Sequence, residues 1–489
     1  MMGQRSSPQP KLFYYDLRLE DRVPPDHLLR RIGARVDFDF VSQLVQDRYG
    51  VNGHVSVPPP VILKLMLLLF LYEVPSEREL LRALPYRLDW LWFLGYDLDS
   101  VVPGHSVLSK ARSRWGVAVF ETVFARGVSQ CVQAGLVNGR KIHVDGSLID
   151  ANASNNSISQ GAEALIRQMR EVLRGEMSKL DEPVTAEPVD ERSGTKRYYQ
   201  PKNRGLVSTT DPDAAVVRKN ALPPRARYKH HRVVDDQCGV VTALETTAGD
   251  VEENARLMDL VDQHEQHTAR KVETVVADQQ YGTTDNFRAC HERGLISHMA
   301  DLSLSKVQDP ARQEIFGRDQ FGYDAATDTY RCPAGQRLTR RKHKQVRRAY
   351  EYACRVEVCR QCPMRDRCTR ADGTARTIKR HENQEAIDAA KVQAHSRAAS
   401  RDRRRRKWLM EGSFADAATH HGFKRARWRR LWRQRIQDFL IATVQNLRTL
   451  IRQGGRRGVK TASQVRGRLL RYWSADLMAE AAHGLALPS

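Results

Sequence analysis

The chain has 489 residues, and its 80 Lys and Arg outnumber its 58 Asp and Glu, which gives a formal net charge of +22. At roughly 150 residues per domain, this length allows about three structural units. An apolar fraction of 41% excludes a wholly disordered chain. The positive excess favours a polyanionic partner, with nucleic acid ahead of an anionic membrane surface.

The sequence predicts neither a membrane span nor a secretory signal. Its most apolar stretch, residues 61–72, is too short to cross a bilayer and contains Lys64. The first twelve residues lack the apolar core of a signal peptide. We therefore expect a cytosolic protein whose eight cysteines are reduced or metal-bound rather than paired in disulfides.

A helical pattern covers residues 17–138, after a polar arm over residues 1–16. Ser76 begins a capping box, and Ser106 is expected to cap a later helix. That later helix carries three cations: Lys110, Arg112 and Arg114. A short helix pair that ends in a basic helix resembles a helix-turn-helix module, so one interpretation is that these cations contact DNA. The other is the solvated face of an ordinary helical bundle.

From residue 139 onward the pattern is mixed α/β. Residues 141–145 alternate as a strand with Asp145 at its end, and a β-branched run ends at Asp278. Between them lie two predicted strands and a helix, over 228–234, 239–246 and 254–268. The first part of this α/β core is placed at residues 139–300.

The residue composition predicts two insertions and one strongly basic segment. Residues 151–225 are polar and are interpreted as an insertion or mobile loop, with a helix near 162–180. Residues 301–390 hold five cysteines. The core is expected to resume with helices over 391–453, before a basic tail at 454–489. Within residues 397–435, 14 Lys and Arg against 3 acids give +11, half of the net charge.

Three acids are distinguished by their context: Asp145, Asp278 and Glu411. An acid at a strand end often marks the functional edge of an α/β sheet, although Asp is also a common turn former. Glu411 belongs to a predicted helix within the most basic part of the chain. Taken alone, it reads equally well as a salt-bridged helix residue.

Together the motifs around these acids resemble those of bacterial insertion-sequence transposases of the Asp-Asp-Glu (DDE) superfamily. The three blocks are Lys141-Ile-His-Val-Asp145-Gly, Ala277-Asp278-Gln-Gln-Tyr281-Gly, and Glu411-Gly-Ser-Phe414 followed by His421-Gly-Phe423. N-terminal phrases such as Pro58-Pro-Pro60 and Val102-Pro-Gly-His105-Ser106 match in order. The resemblance covers roughly residues 17–452, and the cysteine-bearing insertion is similar to the group numbered eleven-eighty-two.

The resemblance implies a ribonuclease-H-like mixed sheet with flanking helices, preceded by an all-α N-terminal domain. It implies that Asp145, Asp278 and Glu411 are catalytic and hold two Mg²⁺ or Mn²⁺ ions, since these hard cations prefer oxygen ligands. Two such ions can serve both ends of an in-line displacement at a phosphodiester. The implied activity is strand cleavage at the element ends and strand transfer into target DNA. The implied partner is double-stranded DNA, bound by a homodimer or larger assembly in the bacterial cytoplasm at the nucleoid.

One position departs from the pattern of many relatives, which have Lys seven residues after the Glu, where this chain has Ala418. The missing phosphate contact is then expected from Lys424, Arg425 or Arg427, or is absent. Lys407, four residues before Glu411, lies on the same helical face and is also assigned to DNA phosphate.

Four cysteines have the spacing of a closed tetrahedral zinc site: Cys332, Cys359, Cys362 and Cys368. Relatives carry similar phrases, so Cys354 is left as the spare. Such a site would fold an insertion too small to have much core of its own. Unliganded thiols and an iron–sulfur cluster are the alternatives.

Two other functions remain open. A catalytically decayed or domesticated DNA-binding protein would keep the basic surface, and a metal-dependent nuclease would cut without joining. The three intact acids argue against decay, and Ala418 argues weakly for it. Other candidates near the motifs rank lower as catalytic groups: His143, Asp150, Asp235 and Asp236.

Overall fold

The structure is a computed structural model that describes residues 18–50, 55–160, 206–218, 223–300, 315–345, 348–371 and 373–453. The polar arm, the helix expected near 162–180 and the basic tail therefore lie outside the described residues. Among the described residues, no helix is both long enough and apolar enough to cross a bilayer.

The N-terminal part is all helical, as its pattern predicts. Its helices are α1 Leu19–Arg22, α2 Leu28–Gly33, α3 Phe40–Val45, α4 Pro59–Leu71, α5 Glu77–Ala83, α6 Leu88–Leu94 and α7 Ser106–Gln133. Helix α4 is buried on nearly every side, which is why its sequence is apolar all round rather than on one stripe. The side chain of Ser76 accepts a hydrogen bond from the backbone N–H of Glu79, so the predicted cap of α5 is confirmed.

The expected cap at Ser106 is wrong. Ser106 is the first residue of α7, and the preceding residue, His105, makes no side-chain capping bond. Helix α7 is interrupted at Gly116, whose φ of +67° is a conformation that L side chains rarely adopt. The basic stretch of α7 is therefore one short arm of a longer, kinked helix.

A mixed sheet forms the centre of the molecule. Its strands are β1 Lys141–Asp150, β2 Ile158–Gln160, β3 Leu206–Ser208, β4 Ala215–Val217, β5 Arg225–Asp235, β6 Val241–Ala248, β7 Thr274–Val276 and β8 Ile296–His298. The order is β2-β3-β4-β5-β1-β7-β8, and β6 also pairs with β5. Strand β5 is antiparallel to β1 and β6, whereas β1, β7 and β8 run parallel.

The described ends of the polar region 151–225 are not a mobile loop. They form β2, β3 and β4, which extend the sheet beyond β5. Buried apolar side chains such as Val216 hold this extension in place. The Arg227 guanidinium on β5 donates hydrogen bonds to the carboxylate of Asp150 at 2.7 Å and to the carbonyl of Val217 at 3.2 Å, which joins β4 to the end of β1.

Two helices pack against this sheet. Helix α8, Leu257–Thr268, lies between β6 and β7 in the chain, and helix α9, Thr284–Glu292, lies between β7 and β8. The chain then enters the cysteine-rich region, which is a second, antiparallel sheet of five strands. Its elements are β9 Gly322–Asp324, β10 Thr329–Arg331, β11 Arg337–Lys344, β12 Ala349–Ala353, helix α10 Val356–Arg360 and β13 Thr377–His381. This sheet has an apolar cluster of its own that includes Phe316, Tyr330 and Tyr352. With six buried side chains, this core is small, as expected for a region of this size.

Three C-terminal helices return to the central sheet: α11 Gln384–Ala394, α12 Arg397–His421 and α13 Leu431–Gln453. Helix α13 is buried along most of its length and packs against α7 and β6, so the N-terminal helices and the sheet share one apolar core. Helix α12 lies across β1, where the Lys141 ammonium contacts the carboxylate of Asp402 at 2.8 Å. This crossing brings the basic segment to the carboxylates described next.

Candidate active site

Asp145 and Asp278 occupy equivalent positions just past the paired part of two adjacent parallel strands, β1 and β7. The expectation that Asp145 ends its strand is wrong, because β1 continues to Asp150, whereas β7 ends at Val276. The last paired residues of β1 and β7 are His143 and Val276. Asp145 and Asp278 each follow two residues later, so alternation of the side chains places both carboxylates on the same side. The structure thus brings together two of the three acids that the sequence selected, 133 residues apart in the chain.

The third carboxylate of this group is Glu253. One ligand oxygen from each of Asp145, Glu253 and Asp278 lies within 4.8 Å of the others, and no other such group of three occurs in the described parts of the chain. Glu253 begins a short 3-10 helix, Glu253–Arg256, after β6. Its carboxylate fills the space beside Gly146, where an added Cβ would lie 2.6 Å from the Glu253 carboxyl carbon.

One cation from α12 contacts the group directly. The Arg406 guanidinium donates a 2.7 Å hydrogen bond to Oδ2 of Asp145, while the backbone N–H of Gly146 donates to Oδ1. Burial raises the pKa of Asp145 above its ordinary value despite Arg406. Burial, together with the other two carboxylates, also raises the pKa of Glu253, although the Lys229 ammonium at 3.7 Å opposes this shift.

Tyr281 closes the inner side of the group. Its side chain is fully buried, and its hydroxyl has no hydrogen-bond partner among the described residues. Its pKa is raised well above the ordinary value by burial first and then by Glu253, Asp145 and Asp278. A buried donor without a partner is costly, so this hydroxyl is an unsatisfied group under the influence of the three carboxylates.

These donors suit Mg²⁺ or Mn²⁺. Both cations prefer carboxylate oxygens and keep several waters, and the group offers only oxygens at a position that is half-buried rather than sealed. The side chain of Asp278 also accepts a hydrogen bond from the backbone N–H of Gln280 at 2.8 Å, which fixes its orientation in the turn after β7. The residues present therefore fit a divalent cation.

Glu411 does not belong to this group in the structure. It is exposed on α12, five residues after Arg406, which is about 140° further around a helix of 3.6 residues per turn. Because Arg406 faces the sheet, Glu411 faces away from it. The sequence motif selected Glu411, whereas the geometry selects Glu253, which follows a strand but stands in no recognised motif.

The lower-ranked candidates have structural partners. The imidazole Nε2 of His143 lies 2.8 Å from Oδ1 of Asp236, which Arg405 also contacts. The backbone N–H of Gly139 donates a 2.8 Å hydrogen bond to Asp235. Asp150 receives the Arg227 guanidinium at the far end of β1. None of these groups joins Asp145 and Asp278.

The side chains predicted to contact DNA fall into an exposed group and a buried or half-buried group. Five of them are exposed: Lys110, Arg114, Lys407, Lys424 and Arg425. Among these, the Lys424 ammonium donates a 2.7 Å hydrogen bond to the hydroxyl of Ser147, which is on β1 two residues after Asp145. Lys407 lies one helical turn before Glu411 on the same outer face.

The prediction that Arg112 and Arg427 contact DNA is wrong, because both side chains contact other parts of the protein. Arg112 is only 2% exposed, forms an ion pair with Glu77 and stacks 3.8 Å above the ring of Trp428. The Arg427 guanidinium donates to the carbonyl of Val74, and burial lowers its pKa. Both side chains join the helical part to the C-terminal segment and are not available to phosphate in this structure.

The five clustered cysteines line one cavity in the second sheet: Cys332, Cys354, Cys359, Cys362 and Cys368. Burial, together with the neighbouring thiol of Cys354, raises the pKa of Cys359, and burial also raises the pKa of Cys368. Among the described residues, no three of these sulfur atoms lie within 4.8 Å of one another. Cys354, taken from sequence as the spare, thus lies beside a predicted ligand.

Comparison with known proteins gives matches at both ends of the chain. Residues 17–114 match the family described as Transposase domain (DUF772). Residues 331–451, which include Glu411 and the five cysteines, match the family described as Transposase DDE domain. No curated protein matches the chain. The chain therefore contains two segments similar to transposase domains, and the second of these is a DDE domain.

Proposed function

We propose that this protein cuts the ends of an insertion sequence and joins them to target DNA by metal-dependent phosphodiester chemistry. The observation that carries the proposal is the pair Asp145 and Asp278, held at equivalent positions on adjacent parallel strands. The strand order β6-β5-β1-β7-β8, with its first two pairings antiparallel and its last two parallel, supports a ribonuclease-H-like core.

In this proposal, Asp145 and Asp278 hold the divalent cations. The cations would polarise the phosphodiester and lower the pKa of the attacking water. The backbone N–H groups of Gly146 and Gln280 orient the two carboxylates before any cation arrives. The motif assigns Glu411 as the third acid. Since Glu411 faces outward, it is not included among the residues proposed to hold the cations in the protein free of DNA.

The DNA is proposed to lie along the outer face of α12 and the adjoining turn. Lys407, Lys424 and Arg425 are exposed there, and Lys424 contacts β1 next to the carboxylates. Cations on one surface beside an acidic centre attract the phosphate backbone and place a scissile bond near the metal. Two element ends would require two copies of the chain, so a dimer or larger assembly on DNA is part of the proposal.

The test is cleavage of DNA that carries the terminal repeats of the element, with Mg²⁺. We expect Asp145→Asn and Asp278→Asn to bind this DNA as the unchanged protein does, and to cut it at least about a thousandfold more slowly, as for loss of a group central to the chemistry. Appearance of joined products in a strand-transfer assay would separate a transposase from a nuclease.

A DNA-binding protein without catalysis is the second candidate, and the outward position of Glu411 favours it. If the unchanged protein binds element ends but cuts none with Mg²⁺ or Mn²⁺, this second candidate replaces the first. Cleavage that both aspartate variants retain would show that the metal chemistry lies elsewhere.

A further inference from the structure

The carboxylate of Glu253 is part of the acidic group, although the transposase motifs do not include this residue. It lies in the turn after β6 and is brought to Asp145 and Asp278 by the fold alone. The side chain of Glu253 packs against Gly146, the residue that follows Asp145. The two residues are 107 positions apart in the chain, so no local spacing predicts their contact.

The space that Glu253 occupies depends on the absence of a side chain at Gly146. An added Cβ would lie 2.6 Å from its carboxyl carbon and 2.9 Å from its Oε1 oxygen. Real Cβ atoms essentially never approach other atoms so closely, so only glycine leaves this carboxylate in place. The close packing holds Glu253 against the strand that carries Asp145.

The charge around Glu253 is incompletely balanced by protein cations. Lys229 is 3.7 Å from its carboxylate, and Arg406 contacts Asp145. Two cations thus face three carboxylates in a half-buried site. Mutual repulsion among close carboxylates is relieved by a bound divalent cation.

Tyr281 provides an independent sign of a missing ligand. Its hydroxyl is fully buried, lacks a partner among the described residues, and lies in the field of all three carboxylates. A water molecule bound to a cation between the carboxylates would satisfy this hydroxyl, and such waters are usual for Mg²⁺. The unpartnered hydroxyl is therefore a second feature, besides the group of carboxylates, that indicates a missing ligand.

We infer that Glu253 is a metal-binding carboxylate of the active site, together with Asp145 and Asp278, in the protein free of DNA. This inference rests on the proposed metal-dependent function and adds a residue to it. It also implies that Glu411 is not needed for cation binding before DNA arrives.

The experiment is titration of the purified full chain with Mn²⁺ alone, followed by electron paramagnetic resonance, with DNA cleavage measured in parallel. The Glu253→Gln variant keeps the shape of the side chain and removes its charge. We expect it to bind Mn²⁺ about tenfold more weakly or worse, and to cut DNA more slowly. The matched controls are Glu252→Gln, an exposed neighbour, and Glu411→Gln, both of which should bind Mn²⁺ within about twofold of the unchanged protein.

The results separate this inference from the function on which it rests. If Asp145→Asn and Asp278→Asn abolish cleavage while Glu253→Gln binds Mn²⁺ normally, Glu253 is not a ligand and the transposase proposal stands. If the aspartate variants still cut DNA, the proposed site itself fails. Equal thermal unfolding of Glu253→Gln and Glu252→Gln would show that weaker Mn²⁺ binding is not caused by unfolding, and Glu253→Asp, which retains the charge, should recover part of the binding.

Discussion

At the level of single residues, Gly146 and Arg406 determine the geometry and the charge of the group formed by Asp145, Glu253 and Asp278. Gly146 is required for space rather than for backbone freedom, because only its hydrogen atom fits beside Glu253. Arg406 acts as a protein cation at Asp145. A divalent ion that binds this carboxylate has to share it with, or displace, the guanidinium.

The Gly146→Ala change tests this packing. We expect the new methyl group to push Glu253 away and to weaken Mn²⁺ binding about as much as Glu253→Gln does. The double variant should be no weaker than either single variant, since both remove the same interaction. The control is Gly412→Ala on α12, whose added Cβ meets nothing within 4 Å. Additive losses in the double variant would contradict the shared cause.

Residue-level prediction from sequence succeeded where the signal was local. Asp145 and Asp278 were selected because each follows an apolar run within a recognisable motif, and the parallel pairing of β1 with β7 brings them together. Glu253 was missed because its position depends on the return of the chain after β6. The buried state of Arg112 was missed because a basic helix looks the same in sequence whether its cations face solvent or a tryptophan.

At the scale of elements, α7 carries neighbouring cations with opposite roles. Lys110 is exposed, whereas Arg112 is buried between Glu77 and Trp428. Two residues apart on a helix means about 200° of rotation, so one cation faces solvent and the other faces the core. The helix-turn-helix interpretation therefore concerns only Lys110 and Arg114 among the three predicted cations.

Replacing each cation by alanine distinguishes these roles. Arg112→Ala should lower the free energy of unfolding by about 3–5 kcal/mol, because it removes a buried cation that pairs with Glu77 and stacks on Trp428. Lys110→Ala should change stability by less than about 0.5 kcal/mol. Urea unfolding of both variants is the measurement. Similar small losses in the two variants would contradict the buried ion pair.

The second sheet, which carries the clustered cysteines, lies outside the proposed active site and has its own predicted metal site. Its five cysteines share a cavity, and the zinc site proposed from Cys332, Cys359, Cys362 and Cys368 would anchor α10 and the loop after it. Its small apolar cluster contributes stability independently of metal. The sequence spacing predicts that four cysteines lie together, and the structure places all four in one cavity. The position of Cys354 beside them depends on how β12 pairs with β11 and β13.

Metal analysis of the purified protein tests the proposed zinc site. We expect about one Zn²⁺ per chain, a lower content in Cys359→Ser, and release of the metal by a strong chelator with loss of ordered structure in this region. Cys290→Ser, at a buried cysteine outside the cavity, is the control and should retain the metal. Iron instead of zinc, or no metal at all, would refute the assignment.

At the scale of the whole molecule, the charge distribution fits a protein that holds DNA along one side of an acidic centre. Half of the net charge of +22 lies in residues 397–435, and α12 carries much of it across β1. The inner face of this helix contacts the carboxylates through Arg406, and its outer face presents Lys407. The same helix thus connects the proposed DNA surface to the proposed metal site.

Salt dependence of DNA binding measures this surface. The Lys407→Ala/Arg425→Ala variant should bind element-end DNA more weakly, and its slope of log affinity against log salt should be about 2 less steep, one for each lost phosphate contact. Lys271→Ala is the matched control, because Lys271 lies before β7, at the opposite end of that strand from Asp278. An unchanged slope in the double variant would remove residues 407 and 425 from the DNA surface.

The most direct measurement of the central claim is localised cleavage of the polypeptide by hydroxyl radicals generated from Fe²⁺ bound in place of Mg²⁺. We expect cuts near residues 145, 253 and 278, which Mg²⁺ in excess suppresses and Asp145→Asn abolishes. Cuts elsewhere with none near residues 145 and 278 would contradict the claim that Asp145 and Asp278 hold the cation.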